Sequence, residues 1–347
     1  MPTELAPRAR TTSDATSDVG CVVIGRNEGD RLELCLRSVL RQVRHVVYVD
    51  SGSTDTSVER ARALGAGVVE LDRATPFTAA LARNTGFHAL RQAHPECRFV
   101  QFVDGDTELC PDWLAVGAAH LRATPQIAVV AGRQRERSPD RTPFHRMFDV
   151  EWDTPRGIVK YCAGNAMVRA SAYEAAGGYR RDLIAGEEPE LCVRIRRAGY
   201  LVEALDQDMA VHDAGEFHLR QWWRRSVRAG YAFAEGAHLH GASPERHYVR
   251  ETARIVFWAA LLPAAALLTA PWTSGLSLLA LPVGYACSAG RAYLTVRRRG
   301  RSARDARLAA QLYTLGKIPE LLGVLRFHLH RLLGRRPNLI EYKRGAA

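Results

Sequence analysis

A buried strand that ends on two carboxylates sets the frame for this chain. Phe99-Val100-Gln101-Phe102-Val103 is mostly apolar and β-prone, and the run stops at Asp104-Gly105-Asp106. In an open α/β sheet, ligands bind beyond the carboxyl ends of the strands, which places Asp104 and Asp106 at a binding edge. Two carboxylates this close repel each other unless a cation or a basic group shares the site. Hard divalent ions accept carboxylate oxygens and keep positions open for substrate phosphates. The same residues also read as an Asp-Gly-Asp turn whose side chains cap Glu108 and the helix after Pro111.

The sequence before this strand alternates in period. Cys21-Val22-Val23-Ile24 is a short apolar run that breaks at Gly25-Arg26-Asn27-Glu28-Gly29. Asp30 then caps a helix whose Leu32, Cys35, Leu36, Val39 and Leu40 follow the 3.6-residue period. His45–Val49 reads as a second strand ending at Asp50, and Thr56 with Glu59 forms a capping box for the next helix. Val68–Leu71 is a third strand, and a helical stretch holding Arg83-Asn84 leads to the strand that ends at Asp104. Strand and helix in alternation, with polar turns after the strands, predict a parallel sheet built from βαβ units.

Each loop has a plain reading of its own: Asn27-Glu28 as a turn, Asp50 as a helix cap, Arg83 as a solvated or ion-paired side chain. Their positions add something. Asn27, Glu28, Asp50, Asp104 and Asp106 all follow strands, so a parallel sheet gathers them on one edge, where they could hold a base, a ribose and a metal-bound diphosphate. The chain has no GxGxxG and no GxxxxGK[ST] loop, which disfavours a dinucleotide-binding dehydrogenase and a P-loop NTPase.

Four segments stand in order: Val23-Ile24-Gly25-Arg26-Asn27-Glu28, Val49-Asp50-Ser51-Gly52-Ser53-Thr54-Asp55, Ala82-Arg83-Asn84-Thr85-Gly86 and Phe102-Val103-Asp104-Gly105-Asp106. Together they resemble the successive motifs of family 2 glycosyltransferases, which have the GT-A fold, over roughly residues 20–215. The resemblance implies a nucleoside-diphosphate sugar donor, with Asp50 and Arg83 near the nucleotide and Asp104-x-Asp106 as the DxD motif. It implies that Asp106 binds Mg2+ or Mn2+ and that Asp104 faces the ribose or the metal. Ser51 departs from the pattern, since many members carry a second Asp there.

Further on, Ile127–Ala131 reads as a strand and the Arg-rich Arg133–Arg146 as a loop. Ala163-Gly164-Asn165-Ala166-Met167-Val168 and Ala175-Ala176-Gly177-Gly178-Tyr179 resemble the family's glycine-containing strand and its following GG-aromatic turn. Small residues there allow backbone to approach a sugar closely. Glu187 and Glu188 open a helix, where negative charge also suits the macrodipole. They resemble the family's Glu-Asp pair, with Glu188 where Asp is usual. An inverting transfer needs a carboxylate to take the acceptor proton, and Glu188 is the expected base with Glu187 as the second choice. His212 follows a short extended stretch and matches the family's C-terminal metal-ligating histidine.

The formal charge of +11 is almost wholly arginine, since the only lysines are Lys160, Lys317 and Lys343. The arginines thicken around and after residue 220, flanking an apolar block, which points to a membrane surface and not to nucleic acid. Seven scattered cysteines without a CxxC pair read as reduced thiols in a cytosolic compartment. Met1–Asp18 has no apolar core, so no signal peptide is expected. Phe217–Gly230 is aromatic, cationic and amphipathic. Gln221-Trp222-Trp223-Arg224-Arg225 superficially resembles the QxxRW motif of processive synthases, but Arg225 stands where tryptophan is needed. Ile255–Gly290 has no charged residue and suffices for two short helices around Pro271–Gly275. Arginines on both flanks predict a hairpin, spanning or re-entrant, with both ends cytoplasmic. Ile318–His328 has leucines and basic residues at interfacial-helix spacing.

The expected fold is α/β: a GT-A domain with a mostly parallel central sheet, plus a C-terminal helical membrane-associated region. Expected boundaries are a disordered lead-in over 1–19, a catalytic domain over 20–215 and an amphipathic interfacial region over 216–252. A hairpin follows over 253–296 and a basic tail with an amphipathic helix over 297–347. The expected activity is an inverting glycosyl transfer from a nucleoside-diphosphate sugar to a hydroxyl or phosphate of a lipid-linked acceptor, on the cytoplasmic face of the inner membrane, in polysaccharide or glycolipid assembly. Two other readings stay open: a processive polysaccharide synthase, and a non-catalytic membrane-anchored scaffold with a degenerate transferase fold.

Overall fold

The computed structural model of the chain describes residues 14–72, 74 and 77–334. From its start run β1 (Val19–Gly25), α1 (Asp30–Leu40), β2 (His45–Asp50), α2 (Ser57–Ala63), β3 (Gly67–Glu70), α3 (Ala79–Ala93) and β4 (Phe99–Asp104). Then come β5 (Thr107–Leu109), α4 (Trp113–Ala123), β6 (Ile127–Glu136), α5 (Pro143–Glu151), β7 (Gly157–Val159), β8 (Ala166–Arg169), α6 (Ala170–Ala175), α7 (Glu187–Arg197) and β9 (Leu201–His212). The rest is helical: α8 (Leu219–His240), α9 (Val249–Val256), α10 (Leu262–Thr269), α11 (Ala280–Arg298), α12 (Ala303–Leu315) and α13 (Lys317–Leu332).

The chain forms two compact units. One takes the chain up to Gln134 with Arg156–Tyr179 and Arg194–Asp213; the other takes Arg135–Pro155, Arg180–Val193 and the chain from Ala214. The first unit carries the sheet, in the order β3-β2-β1-β4-β8-β6-β9-β5, with β7 on β9. The strands β3, β2, β1 and β4 are parallel, as the βαβ alternation predicts. Beyond β4 the observed ladders are antiparallel, with β8 on β4, β6 on β8 and β5 on β9. The α/β architecture with a C-terminal helical region is as expected from the sequence.

Core packing explains the strand sequences. β1 and β4 are buried almost throughout, as parallel strands covered on both faces must be. Gln101 is fully buried within β4, and its Oε1 accepts from Trp113 Nε1 at 2.9 Å, so the polar group is satisfied. Gly86 lets α3 lie flat on the sheet: a Cβ there would overlap the Val22 side chain of β1 and come within 2.8 Å of Val49.

Several sequence expectations shift. Of the lead-in expected over 1–19, residues 1–13 lie outside the described residues, while Asp14–Thr16 form a single 3-10 turn and Val19 already belongs to β1. Gly29, not Asp30, is the residue before α1. The capping box at Thr56 does not form; Asp55 Oδ1 instead accepts from Ser57 N at 3.0 Å. β6 continues five residues past Ala131 to Glu136, because Gln134 and Glu136 turn inward while Arg135 faces out. The loop expected over Arg133–Arg146 is therefore short, and α5 starts at Pro143. The extended stretch before His212 is a strand of 12 residues.

In the second unit, α13 packs along α8, with Tyr231, Val324 and Phe327 buried together. The contact is close because Gly230 and Gly323 face each other's helix: a Cβ on Gly230 would run into the Glu320 carbonyl. The helix expected near Ile318–His328 is thus seated on protein along one face, while Ile318, Leu325 and Leu329 stay exposed. Trp222 is buried against Phe144 and Trp223 is exposed. Neither proline breaks the apolar hairpin: Pro263 follows a π-turn over Phe257–Leu261, and Pro282 falls in the first turn of α11. Gly284 of α11 lies against Trp258 and Leu262, and Tyr285 donates to the Trp258 carbonyl at 2.9 Å. The segment Val249–Thr269 is long and apolar enough to cross a membrane by length and composition. The last part of the expected tail, 335–347, lies outside the described residues.

Candidate active site

The carboxyl ends of β1, β2 and β4 bring the first-unit candidates together. Asp50 closes β2 and is 2 % exposed. Tyr48 donates to its Oδ1 at 2.9 Å, and the Ser53 backbone N–H donates to its Oδ2 at 2.7 Å. Ser53 Oγ donates to Oδ1 as well. A carboxylate offers about four acceptor positions, so Asp50 is fixed in orientation and keeps capacity for a further donor. Burial, then the charge of Asp50, pushes the Tyr48 phenol up, so it remains a donor. Asn27 adopts a positive φ of 54°. Its backbone N–H donates to Ser53 Oγ at 2.9 Å and its Oδ1 accepts from Thr54 N at 2.7 Å, which ties the first loop to the second. Glu28 is buried and pairs with Arg31 at 2.7 Å.

Arg83 and Asp104 form an ion pair at 2.9 Å. Arg83 is 3 % exposed, and its guanidinium also lies 5.5 Å over the Tyr179 ring. Removing Asp104 would take a carboxylate away from that buried charge. Beside Arg83, Asn84 is a fixed point. Its Oδ1 accepts from Tyr173 Oη and from Tyr179 N, and its Nδ2 donates to the Tyr179 carbonyl at 2.8 Å. The Gly177-Gly178 turn is thereby tied to α3. Both glycines have positive φ, and a Cβ on Gly178 would sit 2.7 Å from Asn84 Oδ1.

Asp106 is 4 % exposed and sits where β5 begins. The β5–β9 ladder pairs Thr107 with His212, so His212 Nε2 comes to 3.3 Å from Asp106 Oδ1. The backbone is fixed as well, with Asp213 N donating to the Asp106 carbonyl at 3.0 Å and Gly105 N to the Ile24 carbonyl at 2.8 Å. Gly105 fits because a Cβ there would press on Glu28 Cγ and the Ile24 carbonyl, each at 3.2 Å. Burial, then the charge of Asp106, pushes the Cys35 thiol well up. It stays protonated and donates to the Asp104 carbonyl at 3.6 Å.

The donor set fits a divalent cation. A nearly fully buried carboxylate, an imidazole nitrogen beside it and a second, partly exposed carboxylate suit Mn2+ or Mg2+ better than a thiolate-seeking metal. Asp106, Asp104 and His212 are the residues that would hold it.

Asn165 belongs to this site and was not singled out by sequence reasoning. It is 2 % exposed, its Oδ1 accepts from Asp104 N at 2.7 Å, and its Nδ2 donates to Gln134 Oε1 at 2.8 Å. The signal available in the sequence was a lone amide leading into an apolar strand.

Glu187 and Glu188 open α7 and lie in the second unit. Gly186, with φ of 80°, turns the chain just before them. Glu187 is buried and Glu188 is partly exposed. The helix start is anchored by Glu190, 1 % exposed, which faces His240 Nε2 of α8 at 2.9 Å. Neither partner was predicted, since 50 residues separate them.

Residues 21–177 match the family model described as glycosyl transferase family 2. That segment is a glycosyl transferase family 2 domain. The resemblance carried by the four motifs is borne out, and the transferase domain holds every first-unit candidate up to Arg83, Asp104 and Asp106. Two curated relatives, the pre-mycofactocin glycosyltransferases of two Mycobacterium tuberculosis strains, are 30 % identical over 236 residues, which is 64 % of this chain and 48 % of theirs. The chain therefore spans about half the length of those relatives. Among solved structures, a mannosyltransferase from Pyrobaculum calidifontis in complex with GDP-Man and Mn2+ shares the fold at TM-score 0.58 and 19 % identity. That match covers 93 % of this chain and 91 % of the other.

Proposed function

We propose that this chain transfers a glycosyl group from a nucleoside-diphosphate sugar to an acceptor hydroxyl or phosphate, with inversion and with a divalent cation. The observation that carries this reading is the meeting of Asp106 and His212 at 3.3 Å beside the Arg83–Asp104 pair, at the carboxyl edge of the parallel strands. The family model and the relatives named as glycosyltransferases support it.

In this reading Asp50, held by Tyr48 and Ser53, accepts a hydrogen bond from the donor nucleoside. Arg83 holds Asp104 in place, and Asp104 faces the ribose or the cation. When bound, Mg2+ or Mn2+ supplies positive charge to the departing diphosphate. Glu188 takes the acceptor proton as the acceptor oxygen bonds to the anomeric carbon. The bond from that carbon to the diphosphate breaks, and the diphosphate keeps the electron pair. Glu188 is preferred over Glu187 as base because it is the more exposed of the two.

A lipid-linked acceptor and a seat on the cytoplasmic face of a membrane complete the proposal, in polysaccharide or glycolipid assembly. Their support is the apolar hairpin, where Leu261, Leu268, Trp272, Leu276 and Val283 are all more than half exposed. A donor panel tests the proposal. Transfer from one nucleotide sugar to an extracted polyprenyl phosphate, lost in Glu188→Gln and kept in Glu187→Gln, is expected. Equal rates for Glu188→Gln and the unmodified chain would remove Glu188 as the base.

A further inference from the structure

At the opposite edge of the sheet, a second set of ligand-type side chains converges. His45 is the first residue of β2, His94 ends α3, and Glu96 and Cys97 lie in the turn that leads into β4. His45 Nε2 lies 3.5 Å and His94 Nδ1 3.3 Å from the same Glu96 carboxylate oxygen. The two imidazole rings pack with centroids 3.8 Å apart. One ligand atom from each of His45, Glu96 and Cys97 falls within a set no more than 4.8 Å across. Ligand atoms about 2.0–2.3 Å from a tetrahedral Zn2+ are about 3.3–3.8 Å from one another, so closing this set on an ion requires shifts of roughly an ångström.

We propose that His45, Glu96 and Cys97, with the His94 ring packed against His45, form a binding site for a thiophilic divalent cation such as Zn2+, separate from the catalytic carboxylates. An imidazole, a thiolate and a carboxylate are a ligand set that selects Zn2+ over Mg2+. The turn itself is braced. Cys97 N donates to the His94 carbonyl at 3.1 Å, and the Arg91 guanidinium donates to the carbonyls of Pro95 and Cys97, which braces the backbone. Cys97 is buried while His45 and His94 are half-buried and Glu96 is exposed, so an ion can enter from solvent and meet a sheltered sulfur. Binding forms a metal–sulfur bond, and the Cys97 thiol proton leaves to water.

The two sites share no ligand. β4 runs from Phe99 to Asp104, five residue steps of roughly 3.3 Å each, so about 17 Å of strand separates its two ends. The role suggested by the placement is structural. A cation there ties the start of β2 to the α3–β4 connection, and β1 lies between β2 and β4 in the sheet.

Cobalt titration of the full chain carrying Asp106→Asn tests the site, because Co2+ takes Zn2+ positions and reports sulfur ligation. The expected result is one equivalent of Co2+ giving tetrahedral visible bands and a thiolate charge-transfer band in the near ultraviolet. Zn2+ should bleach both and raise the melting temperature. Cys97→Ser should lose the charge-transfer band, and His45→Ala, at a half-buried position, should weaken Co2+ by about tenfold or more. Absence of a thiolate band in the folded chain overturns the site. So does a band that keeps its full affinity in a His45→Ala, His94→Ala double variant, which serves if Cys97→Ser folds poorly.

Discussion

His212 Nε2 stands 3.3 Å from Asp106 Oδ1, although 106 positions separate the two residues in sequence. The β5–β9 ladder sets this distance by pairing Thr107 with His212. If the two share a cation, each contributes to metal-dependent nucleotide affinity, and unequally. Asp106→Ala is expected to abolish Mn2+-dependent nucleotide binding and His212→Ala to weaken it by about tenfold, as measured by calorimetry. Asp106 is the cleaner position to vary than Asp104, whose loss also perturbs the buried Arg83 charge.

Asn165 couples three elements through one amide. Asn165→Ala leaves the Asp104 N–H and the Gln134 amide oxygen without it, inside the protein. The expected loss is about 1–3 kcal/mol in urea unfolding, together with a lower kcat because the DxD backbone loses its brace. Unchanged stability would show that water replaces the amide at no cost.

Gly178 combines a φ of 69° with a closely facing Asn84 Oδ1. Gly178→Ala is expected to cost about 1–3 kcal/mol through strain and crowding together. Gly177 also has positive φ but meets nothing within 4 Å. Gly177→Ala should therefore be the milder of the two in thermal melts.

Glu235 of α8 provides a pH signature. Burial, then the nearby charge of Asp182, raises its carboxyl to about 7, against a lowering influence from Arg180. A carboxyl whose folded pKa is raised binds more protons in the native state than in the unfolded one. Its stabilising contribution is full below the ordinary value near 4.5 and is lost as pH rises through about 7. Glu235→Gln should therefore melt higher than the unmodified chain at pH 8, with the gap shrinking toward pH 5. A gap independent of pH would contradict the raised value.

The parallel half of the sheet and its loops were legible in the sequence because buried parallel strands read as apolar runs, and their carboxyl ends carry the polar motifs. Asn27, Glu28, Asp50, Asp104 and Asp106 followed from that pattern, whereas Arg83, on α3, came only through the family resemblance. What escaped depends on long-range pairing. β5 is three residues long and exists only because β9 lies beside it. The inward turn of Gln134 is set by Asn165 across the sheet, so polar residues there read as a loop. The Glu190–His240 contact joins helices whose separate periodicities give no hint of the pair. The capping box expected of Thr56 is absent, and Asp55, one residue earlier, accepts from the first backbone N–H of α2, that of Ser57.

The most direct test of the central claim is calorimetry of the folded chain in detergent with UDP, GDP, dTDP and CDP in turn, first with Mn2+ and then with chelator. One nucleotide is expected to bind with Mn2+, chelator to abolish the heat, and Asp106→Ala to do the same. Binding to none of them, or binding that chelator leaves untouched, would contradict a metal-dependent donor site and favour a scaffold built on a degenerate transferase fold.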